Sequence, residues 1–236
     1  MKAILFAAGL GTRLKPFTDN HPKALAVVNG KTLLERNIEY LKSFGINEFV
    51  INVHHFTDQI KDFLGSKNNF GVTIHISDES DEVLETGGGL VKARKFLEND
   101  TFLVMNVDIL TDLDITHLIQ VHEKHKPIVT LAVSDRTSSR KLLFEKDMWL
   151  KGWKNHSTGE KIIESDEVLI EFAFSGIHII EPELFAMLPK SGKFSIMTNY
   201  MELMKSEIIM GYDHSGGKLV DVGRPESVTE AEKMFV

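Results

Sequence analysis

Two glycines and two cationic side chains within the first 25 residues are the part of the sequence best suited to phosphate chemistry. Gly9 and Gly11 follow an apolar run at 3–6 that is typical of a buried β-strand. Glycines at the end of such a strand let the backbone approach a phosphate chain and turn its N–H groups toward it. Arg13 and Lys23 supply the positive charge that a polyanion requires. The sequence therefore predicts a phosphate-binding site near its start.

The same segment argues against two common nucleotide-binding motifs. A dinucleotide-binding fingerprint has a glycine or alanine at the position that Leu14 occupies, and a P-loop has Gly-Lys-Ser/Thr, which is absent here. The pattern therefore disfavours a dinucleotide-dependent oxidoreductase.

The arrangement G-x-G-T-R-L-x-P-x-T at 9–18, followed by Pro-Lys at 22–23, resembles the N-terminal signature of the sugar-1-phosphate nucleotidyltransferases, also called nucleotide-sugar pyrophosphorylases. The resemblance extends from Lys2 to about Glu232. It implies an enzyme that uses Mg²⁺ to join a nucleoside triphosphate to a sugar 1-phosphate and releases pyrophosphate. Catalysis of this kind needs positioned charge rather than a protein nucleophile.

The resemblance also implies roles for individual residues. Arg13 is expected to clamp the β- and γ-phosphates, and Lys23 to reach the α-phosphate and the incoming sugar phosphate. With Asp108 they form the predicted catalytic set, and Asn52 and Glu79 are predicted to recognise the base. The full predicted nucleotide-binding set is Ala7, Ala8, Gly9, Gly11, Thr12, Arg13, Lys23, Asn52, Glu79, Thr86 and Gly87.

Two aspartates resemble the metal ligands of the family. Asp108 follows a predicted strand, and Asp221 lies in the segment Leu-Val-Asp-Val-Gly at 219–223. Mg²⁺ prefers one or two carboxylates together with phosphate oxygens and water. The family usually has glycine before the first aspartate, and this chain has Val107. Valine disfavours positive φ and crowds a ligand, so either the backbone is ordinary β there or the nucleotide sits slightly differently.

A glycine-rich segment at 85–89, Glu-Thr-Gly-Gly-Gly, precedes a predicted helix and offers backbone N–H donors to a ligand. This form resembles the bacterial N-acetylmuramate-1-phosphate uridylyltransferases of cell-wall recycling, which favours UTP with an amino sugar 1-phosphate. GTP with mannose or heptose 1-phosphate and CTP with phosphocholine are alternatives. Another alternative is a non-catalytic regulatory module that binds nucleotide sugars, and Val107 is the only feature that favours it. The predicted sugar-binding residues are Glu85, Gly88, Asn106, Lys154, Asn155, Ser175 and Gly176.

Alternating strand and helix patterns predict the elements that position these residues. In the first half we expect strands at 3–6, 48–53, 72–76 and 101–105, with helices at 33–41, 57–64, 90–97 and 114–122. This order predicts a three-layer, doubly wound, mostly parallel α/β sheet of Rossmann-like type, whose ligands lie beyond the carboxyl ends of the strands. The second half predicts strands at 128–133, 141–144 and 171–180, a polar, turn-rich region at 150–166, and helices at 195–205 and 225–234.

We expect one domain over 1–236, with a nucleotide-binding half at 1–125 and a β-rich lid in the half at 126–236, which carries the sugar site and the second metal ligand. The chain has 42% hydrophobic residues, a net charge of −7 and no cysteine. This composition excludes disulfides and disfavours nucleic acid or an anionic membrane as partner. With no apparent leader or membrane span, we expect a cytoplasmic enzyme, either a monomer or a small homo-oligomer.

Overall fold

A mixed, mostly parallel central sheet organises the molecule, which is known from a computed structural model that describes residues 1–235. The strands are β1 (Lys2–Phe6), β2 (Val27–Val28), β3 (Lys31–Thr32), β4 (Glu48–Val53), β5 (Thr73–Asp78), β6 (Phe102–Asn106), β7 (Ile109–Thr111), β8 (Val129–Ser134), β9 (Arg140–Phe144), β10 (Leu150–Asn155), β11 (Lys161–Ile163), β12 (Ile170–Ile180), β13 (Ile209–Asp213) and β14 (Leu219–Asp221). The helices are α1 (Leu33–Ser43), α2 (Thr57–Ser66), α3 (Glu85–Leu97), α4 (Ile115–His125), α5 (Ile196–Leu203) and α6 (Pro225–Met234).

The strand order of the main sheet is β11-β10-β9-β12-β6-β1-β4-β5, with β8 beside β12 and β13 beside β8. The neighbours β6, β1, β4 and β5 run parallel, and so do β8 and β13. Strand β12 is antiparallel to its neighbours, and β9, β10 and β11 continue the sheet as an antiparallel extension. The predicted α/β fold class is confirmed, and the β-rich part is this extension of the sheet.

Alternating side chains of the central strands supply a core on each face of the sheet. In β1, Ala3 and Leu5 pack into the cluster that includes residues of α1, α2 and α4. Ile4 points to the other face and packs with residues of α3 and α5. Successive residues of a strand point to opposite faces, so a continuous apolar strand needs helices on both sides. The result is the predicted three-layer arrangement.

A buried histidine lies in the second of these clusters. His178 of β12 stacks on Phe174, with ring centroids 5.4 Å apart, and meets the edge of Tyr200 of α5 at 5.8 Å. Within residues 1–235 neither ring nitrogen has a hydrogen-bond partner. Burial lowers the pKa of His178 to about 3, so the ring is neutral at physiological pH.

Most predicted elements are present, and the differences occur in the short strands. The predicted bounds of β4 and α6 match the structure. The polar region at 150–166 contains β10 and β11, so its prediction as turns was wrong. Pairing with β9 and β11 explains the outcome, because it holds this polar segment in the sheet and buries Leu150, Gly152 and Asn155. Strand β13 was not predicted, and the glycines at 87–89 lie inside α3 rather than before it.

Among residues 1–235, no helix has the length and apolar character needed to span a membrane.

Candidate functional site

A cleft of about 300 Å³ opens where β1, β4 and β6 end. This is the edge where ligands bind in parallel α/β sheets. The predicted residues that line it are Ala7, Ala8, Gly9, Gly11, Thr12, Arg13, Lys23, Asn52, Glu79, Glu85, Thr86, Asn106 and Asp108. The predicted residues outside this lining are Gly87, Gly88, Lys154, Asn155, Ser175, Gly176 and Asp221.

Asn52 fixes the glycine-rich loop that follows β1. Its Oδ1 accepts hydrogen bonds from the N–H groups of Ala7 at 2.7 Å and Ala8 at 3.3 Å. Its Nδ2 donates to Glu79 Oε1 at 2.7 Å, and Glu79 Oε2 accepts from Leu84 N at 3.3 Å. Asn52 is 2% exposed and Glu79 is 1% exposed, and burial raises the pKa of Glu79. The structure therefore uses both side chains, predicted as base contacts, to hold the loop and the segment before α3.

Gly11 explains the spacing of the first motif. Its φ of 60° lies in the left-handed region, and a Cβ there would lie 2.8 Å from Thr18 Cγ2 and 3.1 Å from Lys23 Cβ. The Thr18 hydroxyl donates to the Gly11 carbonyl at 2.9 Å. A side chain at residue 11 would be strained and would push these neighbours away. The motif thus folds as a unit that brings Lys23 to the cleft.

A short two-stranded ladder brings the two predicted metal ligands together. Strands β7 and β14 pair antiparallel, with Asp221 opposite Ile109, and Val222 N donates to the Asp108 carbonyl at 2.8 Å. A Cβ on Gly223 would lie 2.8 Å from Asp221 Oδ1 and 3.0 Å from Arg13 Nη2. Asp221 and Arg13 therefore lie against the same glycine, next to the backbone of Asp108.

The charges of this region act on one another. Lys23 is 8% exposed and its ammonium forms an ion pair with Asp108. Although Asp221 is exposed, desolvation by the surrounding protein raises its pKa, and the nearby Asp108 carboxylate raises it further. The cations Lys23, Arg13 and Arg136 act in the opposite direction. The repulsion between the Asp108 and Asp221 carboxylates contributes to the raised pKa of Asp221. Two such neighbouring carboxylates are a suitable set of oxygen donors for a divalent cation.

In residues 1–235 no group of three or more His, Asp or Glu is arranged to hold a metal ion.

Val107 lies in the turn between β6 and β7. It has no positive φ, its N–H donates to the Phe6 carbonyl at 3.2 Å, and its carbonyl accepts from Asn37 Nδ2 at 2.7 Å. The side chain is 3% exposed and packs in the core. The backbone at Val107 therefore avoids the positive φ that valine disfavours, but it lies in a turn rather than in an ordinary β-strand.

Residues 192–196, which we call the strap, cover the start of α3. The Phe194 carbonyl accepts from Gly87 N at 2.9 Å and Gly88 N at 3.3 Å, and Phe194 N donates to the Leu84 carbonyl at 3.2 Å. A Cβ on Gly87 would lie 2.2 Å from the Phe194 ring, and one on Gly88 would lie 2.2 Å from the Gly192 carbonyl oxygen. Two amides predicted to face a ligand are therefore bound by the strap.

The strap also holds the two residues of this segment that do line the cleft. Ile196 N donates to Thr86 Oγ1 at 3.0 Å. Glu85 has a φ of 60°, a conformation that L-residues rarely adopt and that persists only where the surroundings enforce it. The strap contacts on either side of Glu85 supply that enforcement.

The predicted sugar-binding residues divide into two groups. Ser175 and Gly176 lie at an irregularity of β12, where Ser175 Oγ bonds His214 Nε2 at 2.8 Å and a Cβ on Gly176 would lie 3.0 Å from Asn106 Nδ2. They therefore adjoin the Asn106 side of the cleft.

Lys154 and Asn155 lie on β10, apart from the cleft lining, so the structure does not bring them together with the other predicted residues. Lys154 Nζ pairs with Glu171 at 3.3 Å, and Asn155 Oδ1 accepts from Ser157 N at 3.0 Å in a turn. Their polar groups serve the antiparallel extension.

Sequence reasoning missed three residues of the cleft lining, Phe6, Val83 and Gly223, and two residues outside that lining, Phe194 and Arg136. Arg136 could have been found, because it follows the predicted strand at 128–133 and strand ends are where such sheets bind ligands. Phe194 and Gly223 carry no such signal, since their roles depend on contacts between distant parts of the chain.

Comparison with known proteins agrees with the geometry. The model of the family described as nucleotidyl transferase matches residues 2–142. The chain is 32% identical to N-acetylmuramate alpha-1-phosphate uridylyltransferase of Neisseria meningitidis serogroup B, over 99% of this chain and 98% of that protein. It is 30% identical to D-glycero-alpha-D-manno-heptose 1-phosphate guanylyltransferase of Campylobacter jejuni, over 96% of each chain. The crystal structure of HddC from Yersinia pseudotuberculosis complexed with GMP-PN shares the fold, with a TM-score of 0.81 and 23% identity over 100% of this chain and 99% of that one.

Proposed function

We propose, because this chain belongs to the nucleotidyl transferase family and is a sugar-1-phosphate nucleotidyltransferase, that it transfers the uridylyl group of UTP to an amino sugar 1-phosphate such as N-acetylmuramate 1-phosphate. The single observation that carries the proposal is the convergence of Arg13, Lys23, Asp108 and Asp221 at one edge of the sheet. The near full-length similarity to the Neisseria uridylyltransferase supports the choice of UTP and of the sugar.

In the proposed reaction, a phosphate oxygen of the sugar 1-phosphate attacks the α-phosphorus of the nucleotide. The bond from that phosphorus to the bridging oxygen of the β-phosphate breaks, and pyrophosphate leaves with the electron pair. No protein nucleophile takes part. The protein has to hold two polyanions in line and stabilise the charge that develops on the leaving group.

Different residues at the cleft are suited to bind different phosphates and the metal ion. Backbone N–H groups of the loop at 9–12 and the exposed Arg13 guanidinium bind the β- and γ-phosphates. Lys23, close to Asp108, lies where its ammonium serves the α-phosphate and the incoming phosphate. Asp108 and Asp221 would hold Mg²⁺, which when bound neutralises charge on the reacting phosphates.

The arrangement also supports the proposed organisation of the chain. Asp108 comes from the half at 1–125 and Asp221 from the half at 126–236, so the site requires both halves. We therefore propose one catalytic domain over 1–236. We propose a cytoplasmic monomer or small homo-oligomer with no nucleic-acid or membrane partner, and the net charge of −7 supports the last point.

A second candidate reaction uses GTP and a heptose 1-phosphate. The observation that favours it is the 30% identity to the Campylobacter guanylyltransferase over 96% of each chain. The two reactions share the same phosphate chemistry and differ only in the base and the sugar.

The proposal is tested by measuring pyrophosphate release with Mg²⁺ while UTP, GTP, CTP, ATP and dTTP are crossed with sugar 1-phosphates and phosphocholine. We expect the highest kcat/KM with UTP and N-acetylmuramate 1-phosphate. A higher value with GTP and a heptose 1-phosphate would support the second candidate. Nucleotide binding without turnover of any pair would contradict the enzymatic proposal and support the regulatory module.

The site assignment is tested with a matched pair of variants from the first motif. Arg13→Ala removes a cation that lines the cleft, and Lys15→Ala removes an exposed one that lies outside the lining and pairs with Asp19 at 2.8 Å. We expect Arg13→Ala to lower kcat/KM for the nucleotide about a hundredfold, because one well-placed charge contributes about 3 kcal/mol at such a site. Lys15→Ala should stay within about twofold of wild type. Equal losses in both variants would contradict the assignment.

A further inference from the structure

Arg136 is a half-buried cation beside the cleft that the proposed reaction does not use. It lies two residues beyond the end of β8. Its Nη2 donates to the Phe174 carbonyl at 2.8 Å, and its own carbonyl accepts from Lys141 Nζ at 2.7 Å. These bonds fix the guanidinium against the irregular part of β12, so Arg136 is held in place before any ligand binds.

This guanidinium lacks a charge partner. Within residues 1–235 no carboxylate lies at ion-pair distance from it. Its Nε is buried and has no hydrogen-bond partner among the same residues. Burial lowers the pKa of Arg136, and the charge of Asp221 acts against that effect, which places Arg136 in the electrostatic neighbourhood of the site. A partly buried cation without a partner is costly, so a structural role alone is a poor explanation for it.

The groups around Arg136 belong to the sugar side of the cleft. His214, on which the charge of Arg136 acts, bonds the buried Ser175. The next residue is Gly176, whose missing side chain lets Asn106 of the cleft approach β12. Arg136 therefore lies on the side where the sugar rather than the triphosphate is expected.

The number of cations also matters. Arg13 and Lys23 already serve the phosphates in the proposed reaction. A third cation on the sugar side is surplus for an acceptor whose only charge is its phosphate. An arginine held by one of its nitrogens still presents others, and its planar fork matches the geometry of a carboxylate.

We infer that Arg136 binds a carboxylate carried by the sugar of the acceptor, so that the preferred acceptors are acidic sugar 1-phosphates. The inference rests on the proposed function. It assigns Arg136 to the choice of acceptor and not to the transfer step itself.

The test compares two acceptors that differ by the acidic group. N-acetylmuramate 1-phosphate carries a lactyl carboxylate that N-acetylglucosamine 1-phosphate lacks. We expect Arg136→Gln to lower kcat/KM roughly tenfold to a hundredfold for the acidic acceptor, the range for loss of a charge-assisted hydrogen bond. For the neutral acceptor the change should stay within about twofold. The control is Arg140→Gln, which removes an exposed arginine four residues further along and should leave both values unchanged.

Each other outcome contradicts the inference in a recognisable way. An equal loss with both acceptors would show that Arg136 supports the phosphate or the scaffold. Wild-type turnover of the neutral acceptor alone would refute the inference and leave the proposed function standing. Silence with both acceptors and all five nucleotides would refute the proposed function as well. If Arg136→Gln does not fold, Arg136→Lys replaces it, because lysine keeps the charge without the fork and should still lower kcat/KM for the acidic acceptor alone.

Discussion

Gly87→Ala is the sharpest test of the role of the strap, because the added methyl group meets Phe194 directly. The new Cβ would lie 2.2 and 2.3 Å from two ring carbons of Phe194 and 2.9 Å from its carbonyl oxygen. The ring can rotate, but the carbonyl belongs to the backbone that bonds Gly87 and Gly88. The substitution therefore has to move the strap and weaken both hydrogen bonds.

The expected cost follows from opposing effects. Alanine in place of glycine within a helix stabilises by about 0.5–1 kcal/mol. Overpacking costs about 1–3 kcal/mol, and each weakened hydrogen bond costs up to about 1 kcal/mol. We expect a net loss of about 1–3 kcal/mol in the free energy of unfolding, and a Tm lower by roughly 3–10 °C for a chain of this size.

Gly65→Ala is the matched control, because Gly65 lies in α2 and a Cβ added there would have nothing within 4 Å. It should raise Tm slightly. Thermal unfolding of the two variants measures the difference, and the KM for nucleotide should rise only in Gly87→Ala, since Glu85 and Thr86 line the cleft. Equal stability of the two variants would refute the argument that glycine is required beneath the strap.

Three further predictions concern the site and the core. Gly223→Ala should lower kcat/KM roughly tenfold to a hundredfold, because the added Cβ displaces the side chains of Asp221 and Arg13 by a fraction of an ångström to an ångström. Tm should stay nearly unchanged, because the contacted atoms are at the ends of flexible side chains. Unchanged kinetics would contradict the site geometry. Asp108→Asn should keep the fold and lower Mg²⁺-dependent turnover about a hundredfold or more, and near-native turnover would contradict its role. The pKa of His178 in the folded state is about 3, so below about pH 6.5 the unfolded state binds a proton at this residue that the folded state does not. This group should therefore lower the free energy of unfolding by about 1.4 kcal/mol for each pH unit below that value. Urea unfolding at several pH values should show a smaller acid loss in His178→Phe, and identical pH profiles would contradict this account.

The main sheet and the location of the cleft were predictable because they depend on local patterns. Apolar runs at 3–6 and 48–53 indicate buried parallel strands, and the motif at 9–23 follows the first of them. The rule that ligands lie beyond the carboxyl ends of such strands then predicts Arg13 and Lys23 at that edge, and both line the cleft there.

The short strands and the strap were not predictable, because long-range contacts decide them. The sequence of β10 is polar, and its local conformational preference predicts turns. Pairing with β9 overrides that preference. The glycines at 87–89 suggest an open phosphate-binding loop, but the strap, more than 100 residues further along, packs onto two of them. Nothing local to either segment indicates that the two meet.

The central claim is that this cleft joins a nucleoside triphosphate directly to a sugar 1-phosphate. The most direct measurement incubates the protein with α-³²P-labelled UTP, N-acetylmuramate 1-phosphate and Mg²⁺, and quantifies labelled nucleotide sugar and pyrophosphate. We predict equal amounts of both products, formed only when both substrates are present. Labelled UMP as the main product, pyrophosphate release without the sugar phosphate, or label bound covalently to the protein would contradict the claim.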